Sequence, residues 1–90
     1  MHVPVELKIK YLQRRTQDIE KLRALMEKNE FSEASKLGHQ VKGNAITFEF
    51  PQMAGLGIEI EKAAKLEDRF HLSRLLDEME SMIRSAQIDL

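Results

Sequence analysis

His39 stands in the stretch Leu37-Gly38-His39-Gln40-Val41-Lys42-Gly43-Asn44-Ala45, with a lysine three residues on and a glycine directly after that. A neutral imidazole nitrogen is a nucleophile, and a lysine one helical turn away can neutralise charge on an oxyanion. These residue types at this spacing suit acceptance of a phosphoryl group. At about 100° per residue the apolar stripe of this segment centres near Val41 and Ala45, and His39 falls roughly a third of a turn away. Its neighbours on that face are Ser35, Lys36, Lys42, Gly43 and Ile46. Ser35 and Gly43, a turn below and above, remove bulk around the ring and leave room for another protein to approach. Glycine in mid-helix costs about 1 kcal/mol against alanine, so Gly43 asks for a reason beyond packing.

The group that would orient the imidazole comes from further along the chain. If the turn after this helix centres near residue 50, Glu61 lies as far beyond it as His39 lies before it, and two antiparallel helices bring the pair level. Glu61 sits beside the inward stripe of Leu56, Gly57, Ile60 and Ala64. By accepting a hydrogen bond from Nδ1–H, its carboxylate would fix the tautomer and leave Nε2 a free lone pair. The Lys42 ammonium can contact phosphoryl oxygens during transfer and in the phosphohistidine product, a charge-assisted contact. Lys36 adds positive potential at the rim.

The elements that must hold these residues are all helical. Residues 4–28 read as a long first helix, with Pro4 in its first turn and a stripe of Val5, Ile9, Leu12, Thr16, Ile19, Leu22 and Met26. Tyr11 and Leu25 fall at the border of that stripe, and Arg14, Arg15, Asp18, Glu20 and Lys21 on a solvated face. Asn29 tolerates the left-handed conformation that ends helices. Ser32 is the expected N-cap of the second helix, with Phe31 before it as a hydrophobic staple. Its apolar face is Ala34, Leu37, Gly38, Val41, Ala45 and Phe48.

A turn is expected at Thr47-Phe48-Glu49-Phe50, and Pro51 opens a third helix that runs to about Leu66. That helix faces Met53, Leu56, Gly57, Ile60 and Ala64 inwards, and close approach of a neighbouring helix would explain Gly57. Asp68 is a candidate N-cap for the last helix, whose inward side is Leu72, Leu75, Leu76, Met79, Met82, Ile83 and Ala86. Four amphipathic segments with short connections imply an all-α, antiparallel up-down four-helix bundle. No period-two alternation, internal repeat or low-complexity stretch is present.

Composition narrows the function classes. Ninety residues, 42% hydrophobic and 32% charged, make one globular domain, spanning residues 1–90. A formal net charge of −1, from 14 basic and 15 acidic residues, argues against a nucleic-acid binder. The chain has no cysteine, which excludes disulfides, thiolate catalysis and thiolate metal sites. No apolar run approaches membrane-spanning length and the N-terminal stretch turns charged early, so a cytoplasmic domain without membrane contact is expected. No nucleotide-binding signature is present, so no autonomous kinase activity is expected.

At this point His39-Gln40-Val41-Lys42-Gly43 resembles the His-x-x-Lys-Gly signature of histidine phosphotransfer (HPt) domains. The resemblance spans nearly the whole chain, through Glu30-Phe31, Leu37-Gly38, Phe48 and Phe50, then Met53, Leu56-Gly57 and Ile60-Glu61-Lys62-Ala63-Ala64. It implies that His39 is phosphorylated, that Lys42 stabilises the phosphate, that Gly43 admits the partner, and that Glu61 holds the histidine. It also implies a phosphoryl carrier in a multistep two-component phosphorelay, with receiver domains of response regulators and a hybrid histidine kinase as partners. No cofactor is implied, any Mg²⁺ belonging to the receiver, and a monomer is expected. Two positions depart from the pattern. Glu49 stands where the family often has glycine in the turn, and Ile46 where a smaller residue is common. Ser35, Lys36, Gly43 and Ile46 are the expected partner-facing residues.

Other chemistry-bearing residues have simpler readings. A lone histidine on a helix is most often solvated surface, and His39 stands apart only through its company. His2 reads as a terminal residue without a role. Asp68-x-x-His71 has metal-like spacing, but a di-metal bundle site needs two such pairs and two further carboxylates, so helix-start polarity explains it and no metal is expected. Met26, Met53, Met79 and Met82 fall on core stripes. A different class of function stays open: a helical docking module that binds receiver-like partners without carrying phosphate.

Overall fold

A computed structural model describes residues 3–90; His2 lies outside the described residues. The described residues form four helices and no strand: α1 (Val5–Glu27), α2 (Phe31–Thr47), α3 (Pro51–Lys65) and α4 (Arg69–Asp89). α2 packs on α1 and α3, and α4 packs on α3 and α1. Neighbours in sequence are thus neighbours in space, and α4 closes the square against α1. The bundle measures 37 × 21 × 16 Å.

All three connections use one device. Asn29, Glu49 and Glu67 take left-handed backbone angles, with φ of 59°, 66° and 53°. The next amide then reaches back to a carbonyl of the last turn, Glu30 N to Leu25 O at 2.8 Å, Phe50 N to Ala45 O at 2.9 Å and Asp68 N to Ala63 O at 3.0 Å. This is the Schellman arrangement, which satisfies carbonyls a helix end would otherwise leave unpaired. Glu30, Phe50 and Asp68 are also the N-cap residues of α2, α3 and α4. One residue therefore finishes one helix and begins the next, and each chain reversal is nearly as short as geometry permits.

Asp68 caps as its position suggested, its Oδ1 accepting from His71 N at 3.1 Å. Ser32 does not cap α2. The helix starts at Phe31, and Glu30 fills the N-cap position without a side-chain hydrogen bond, because the Schellman turn leads straight into α2. Phe31 is consequently a buried first-turn residue with the Arg69 guanidinium 5.5 Å from its ring centroid. Arg69 also donates to Met26 O at 2.7 Å and to the Asn29 side chain, tying the start of α4 to the end of α1. Pro4 precedes α1 as its N-cap rather than lying inside the first turn.

The inward faces of α3 and α4 follow their sequence stripes, with Met82 and Ala86 half-buried. The stripe of α1 does so in part, with Leu12, Ile19, Leu22 and Met26 buried. Val5, Ile9 and Thr16 are exposed, while Tyr11, expected at the border, and Arg15, expected in solvent, are buried. Arg23 pairs with Asp77 and Glu80, and that register sets Leu12 level with the end of α4, so the turns carrying Val5 and Ile9 have no α4 to cover them. Tyr11 faces the α2–α3 turn instead, stacking on Phe48 at 4.9 Å and on Phe50 at 5.2 Å between ring centroids. Arg15 lies 4.8 Å over the Tyr11 ring and meets Asp18 at 2.7 Å from Nε to Oδ2, off the line of a straight hydrogen bond. Burial raises the Tyr11 phenol and the Asp18 carboxyl above their ordinary values, and Arg15 offsets part of the rise in both.

Two glycines set the spacing of α2 and α3. A Cβ on Gly57 would stand 2.6 Å from Lys42 N and 2.8 Å from Gly38 O, and one on Gly38 would stand 2.8 Å from Glu61 N. These are backbone atoms, which no rotamer change can move aside. A Cβ on Gly55 would meet nothing within 4 Å. Gly57→Ala should therefore lower stability by about 2 kcal/mol through overpacking, and Gly55→Ala should raise it by up to about 1 kcal/mol through helix propensity. Urea unfolding of the two variants checks the opposite signs; a stable Gly57→Ala would disprove the tight crossing.

Glu49 explains why glycine suits its position and how another residue manages there. Its φ of 66° is the conformation that disfavours a Cβ. Its Oε1 accepts from Val3 N at 2.9 Å and lies 3.7 Å from Lys8 Nζ, which fastens the start of α1 to the turn. Glu49→Ala keeps the unfavourable backbone and gives up the carboxylate, so it should be less stable than Glu49→Gly by about 1 kcal/mol. Equal denaturation midpoints for the two variants would show that the backbone angle carries no penalty.

Candidate functional site

The close crossing of α2 and α3 is what builds the site. With the Glu61 amide seated against Gly38, the side chains of His39 and Glu61 emerge side by side from adjacent helices. Glu61 Oε1 lies 3.5 Å from His39 Nδ1. The His39 side chain is 64% exposed and that of Glu61 21%. An imidazole so placed is a surface group steadied from one side. With Nδ1 turned to the carboxylate, the ring's geometry directs Nε2 away from it.

The second Glu61 oxygen is also occupied. Oε2 lies 3.3 Å from Lys65 Nζ, one turn further along α3. Glu61 is held below the ordinary carboxylate value chiefly by Lys65, against an opposing effect of burial, with a lesser contribution from His39. It therefore remains an ionised, acceptor-only group over the neutral range. A depressed carboxylate contributes stability above its unfolded-state pKa and loses that contribution as pH falls through the lowered folded value.

The expected site residues divide into two groups about His39. Ser35, Lys36, His39 and Glu61 line one shallow concavity between α2 and α3, together with Gln40 and Lys65. Ser35 is buried, and Lys36 is exposed with Nζ 3.3 Å from Glu33. Lys42, Gly43 and Ile46 lie towards the α2–α3 turn and do not line this concavity. Lys42 is half-buried, and its backbone forms the floor against which Gly57 packs. A Cβ on Gly43 would meet nothing within 4 Å, so nothing inside the fold requires glycine there. Ile46 is 68% exposed, an apolar side chain standing above the histidine.

Lys65 is the residue that sequence reasoning missed. Its signal was present, since Glu to Lys at four residues' separation is a favourable helix pair, but it reads as ordinary surface charge until Glu61 has a role. Asp68 is engaged as the helix cap by the His71 backbone amide, and among the described residues no three His, Asp or Glu side chains group to hold a metal. Among the same residues no helix is long and apolar enough to cross a membrane.

A ¹³C titration of the Glu61 carboxyl should give a midpoint below the usual glutamate range, moving back towards it in 1 M salt, where about 3 Å of Debye length screens exposed pairs. A midpoint at or above the ordinary value in dilute buffer would show that neither cation holds the carboxylate.

In comparison with known proteins, a family model described as the Hpt domain matches residues 6–88. No curated protein matches the chain, and no solved structure does.

Proposed function

Since the chain belongs to the Hpt domain family, whose members carry phosphoryl groups on a histidine in phosphorelays, we propose that His39 is the residue that carries it here. The protein is a phosphoryl carrier and not a kinase. The observation that supports His39 is its pairing, at 3.5 Å through Nδ1, with a carboxylate from the neighbouring helix, while most of the ring stands in solvent.

Transfer then proceeds as follows. Nε2 attacks the phosphorus of an aspartyl phosphate on the partner, the N–P bond forms, and the acyl phosphate O–P bond breaks. The partner's carboxylate leaves with the bonding electrons. Glu61 accepts the Nδ1–H hydrogen bond, and it steadies the positive charge that develops on the ring as the N–P bond forms. Lys42 neutralises the phosphoryl oxygens. The reverse sequence delivers the group to the next receiver.

The partner-facing surface in this reading comprises Lys36, Gly43 and Ile46, with the buried Ser35 beneath it in the wall of the concavity. Gly43 leaves the approach open, and Ile46 offers an apolar contact that bears on partner choice. Family membership implies receiver domains and hybrid kinases as partners. The reading assigns all of residues 1–90 to one domain acting in the cytoplasm, and makes it a monomer, because the His39 face must be free for donor and acceptor in turn.

Incubation with a phosphorylated receiver domain should give an acid-labile, base-stable phosphate on the wild-type chain. His39→Gln should lose that label entirely while helicity and melting temperature stay nearly unchanged, as suits an exposed side chain. Undiminished label in His39→Gln, or its large loss of stability, would refute the assignment. A folded wild-type protein that binds receivers and takes up no label would instead be a docking module.

A further inference from the structure

The Lys65–Glu61–His39 row invites a question that the phosphoryl-carrier reading leaves open: what keeps Glu61 aimed at the ring. Glutamate has three rotatable side-chain bonds, and this one reaches across from α3 to a histidine on α2. Its two oxygens are divided between two partners, Oε1 at 3.5 Å from His39 Nδ1 and Oε2 at 3.3 Å from Lys65 Nζ. The two contacts are compatible because they use different oxygens. Two other nearby lysines have acids of their own: Lys36 Nζ is 3.3 Å from Glu33 and Lys62 Nζ is 3.9 Å from Glu59. Lys65 is the cation directed at Glu61.

We infer that Lys65 is a positioning residue of the site: by holding Glu61 Oε2 from the solvent side, it keeps Oε1 against His39 Nδ1 and so keeps His39 in the tautomer with a free Nε2. The inference rests on His39 being the phosphoryl acceptor. Lys65 itself need not touch the phosphoryl group. Its pull also holds the Glu61 carboxyl below its ordinary value, so the group that faces Nδ1 is an acceptor with no proton to offer. Without Lys65, Glu61 can rotate into water, and the ring relaxes towards the mixture of tautomers found in solution. Because the Lys65 side chain stands mostly in solvent, the effect is modest.

Phosphoramidate is a suitable probe, because it transfers its phosphoryl group to an imidazole with ammonia leaving and needs no docking partner. The Lys65→Gln chain should label three- to fivefold more slowly than wild type, a factor in keeping with an exposed ion pair worth up to roughly 1 kcal/mol. ¹⁵N shifts of the ring at pH 8 should move from the Nδ1–H form towards the Nε2–H form. Lys65→Arg should restore both readouts. In a Glu61→Gln background, Lys65→Gln should produce no further slowing.

An unchanged tautomer and rate in Lys65→Gln would overturn the inference. So would the same three- to fivefold factor with Glu61 already removed, since Lys65 would then act on the phosphoryl group directly. If wild type takes no label on His39, the assignment of the carrier fails, and the tautomer measurement still judges the role of Lys65.

Discussion

The structure depends on the absence of two β-carbons. Where α2 crosses α3, Gly38 and Gly57 let the helix backbones meet with atoms that any larger residue would collide with. Interaxial distance between helices is set by the side chains at the contact, and at Gly38 and Gly57 backbone comes within reach of backbone. Everything chemical about the protein is adjacent to that point. His39 follows Gly38, the Glu61 amide rests on Gly38, and the Lys42 backbone rests on Gly57. A wider crossing would leave a glutamate reaching for a histidine it could not meet.

The other two helices make this crossing stable rather than reactive. Tyr11 of α1 stacks on Phe48 and Phe50, which flank the left-handed Glu49, so α1 clasps the very turn that sets the register of α2 against α3. At the opposite end Arg69 gathers the end of α1 and the first residue of α2. The site thus lies midway along a helical hairpin fixed at both ends. Helical elements fixed in this way hold side chains more precisely than loops do.

Much of this was legible in the sequence, and the parts that were not share a cause. The inward faces of α3 and α4 follow from apolar spacing, and the level placing of His39 and Glu61 follows from the turn near residue 50. Apolar periodicity, however, cannot announce the burial of a polar residue. Tyr11 and Arg15 are inside because a distant turn supplies two aromatic rings, and the guanidinium then covers the phenol and meets Asp18. Val5 and Ile9 fail in the opposite sense, since a stripe says which face is apolar and not whether a neighbour extends far enough to cover it. Ser32 looked like a cap because Asn29 signals the left-handed end of α1 and not that Glu30, the very next residue, already serves as the N-cap of α2. Lys65 was visible as a charge and invisible as a partner. Gly55 remains a helix-interior glycine for which the fold gives no reason.

The exposure of the imidazole bears on how long a signal can persist. In the proposed reading, a phosphoryl group on this side chain, 64% open to solvent, would stand at the wall of a shallow concavity and largely in water. Its survival between one encounter and the next is then governed by the hydrolysis of the N–P bond in water, moderated only by the few charges beside it. Such a carrier stores information for as long as its bond lasts and delivers it as often as a partner arrives. Abundance of partners, more than any motion of this bundle, would set the tempo of the relay.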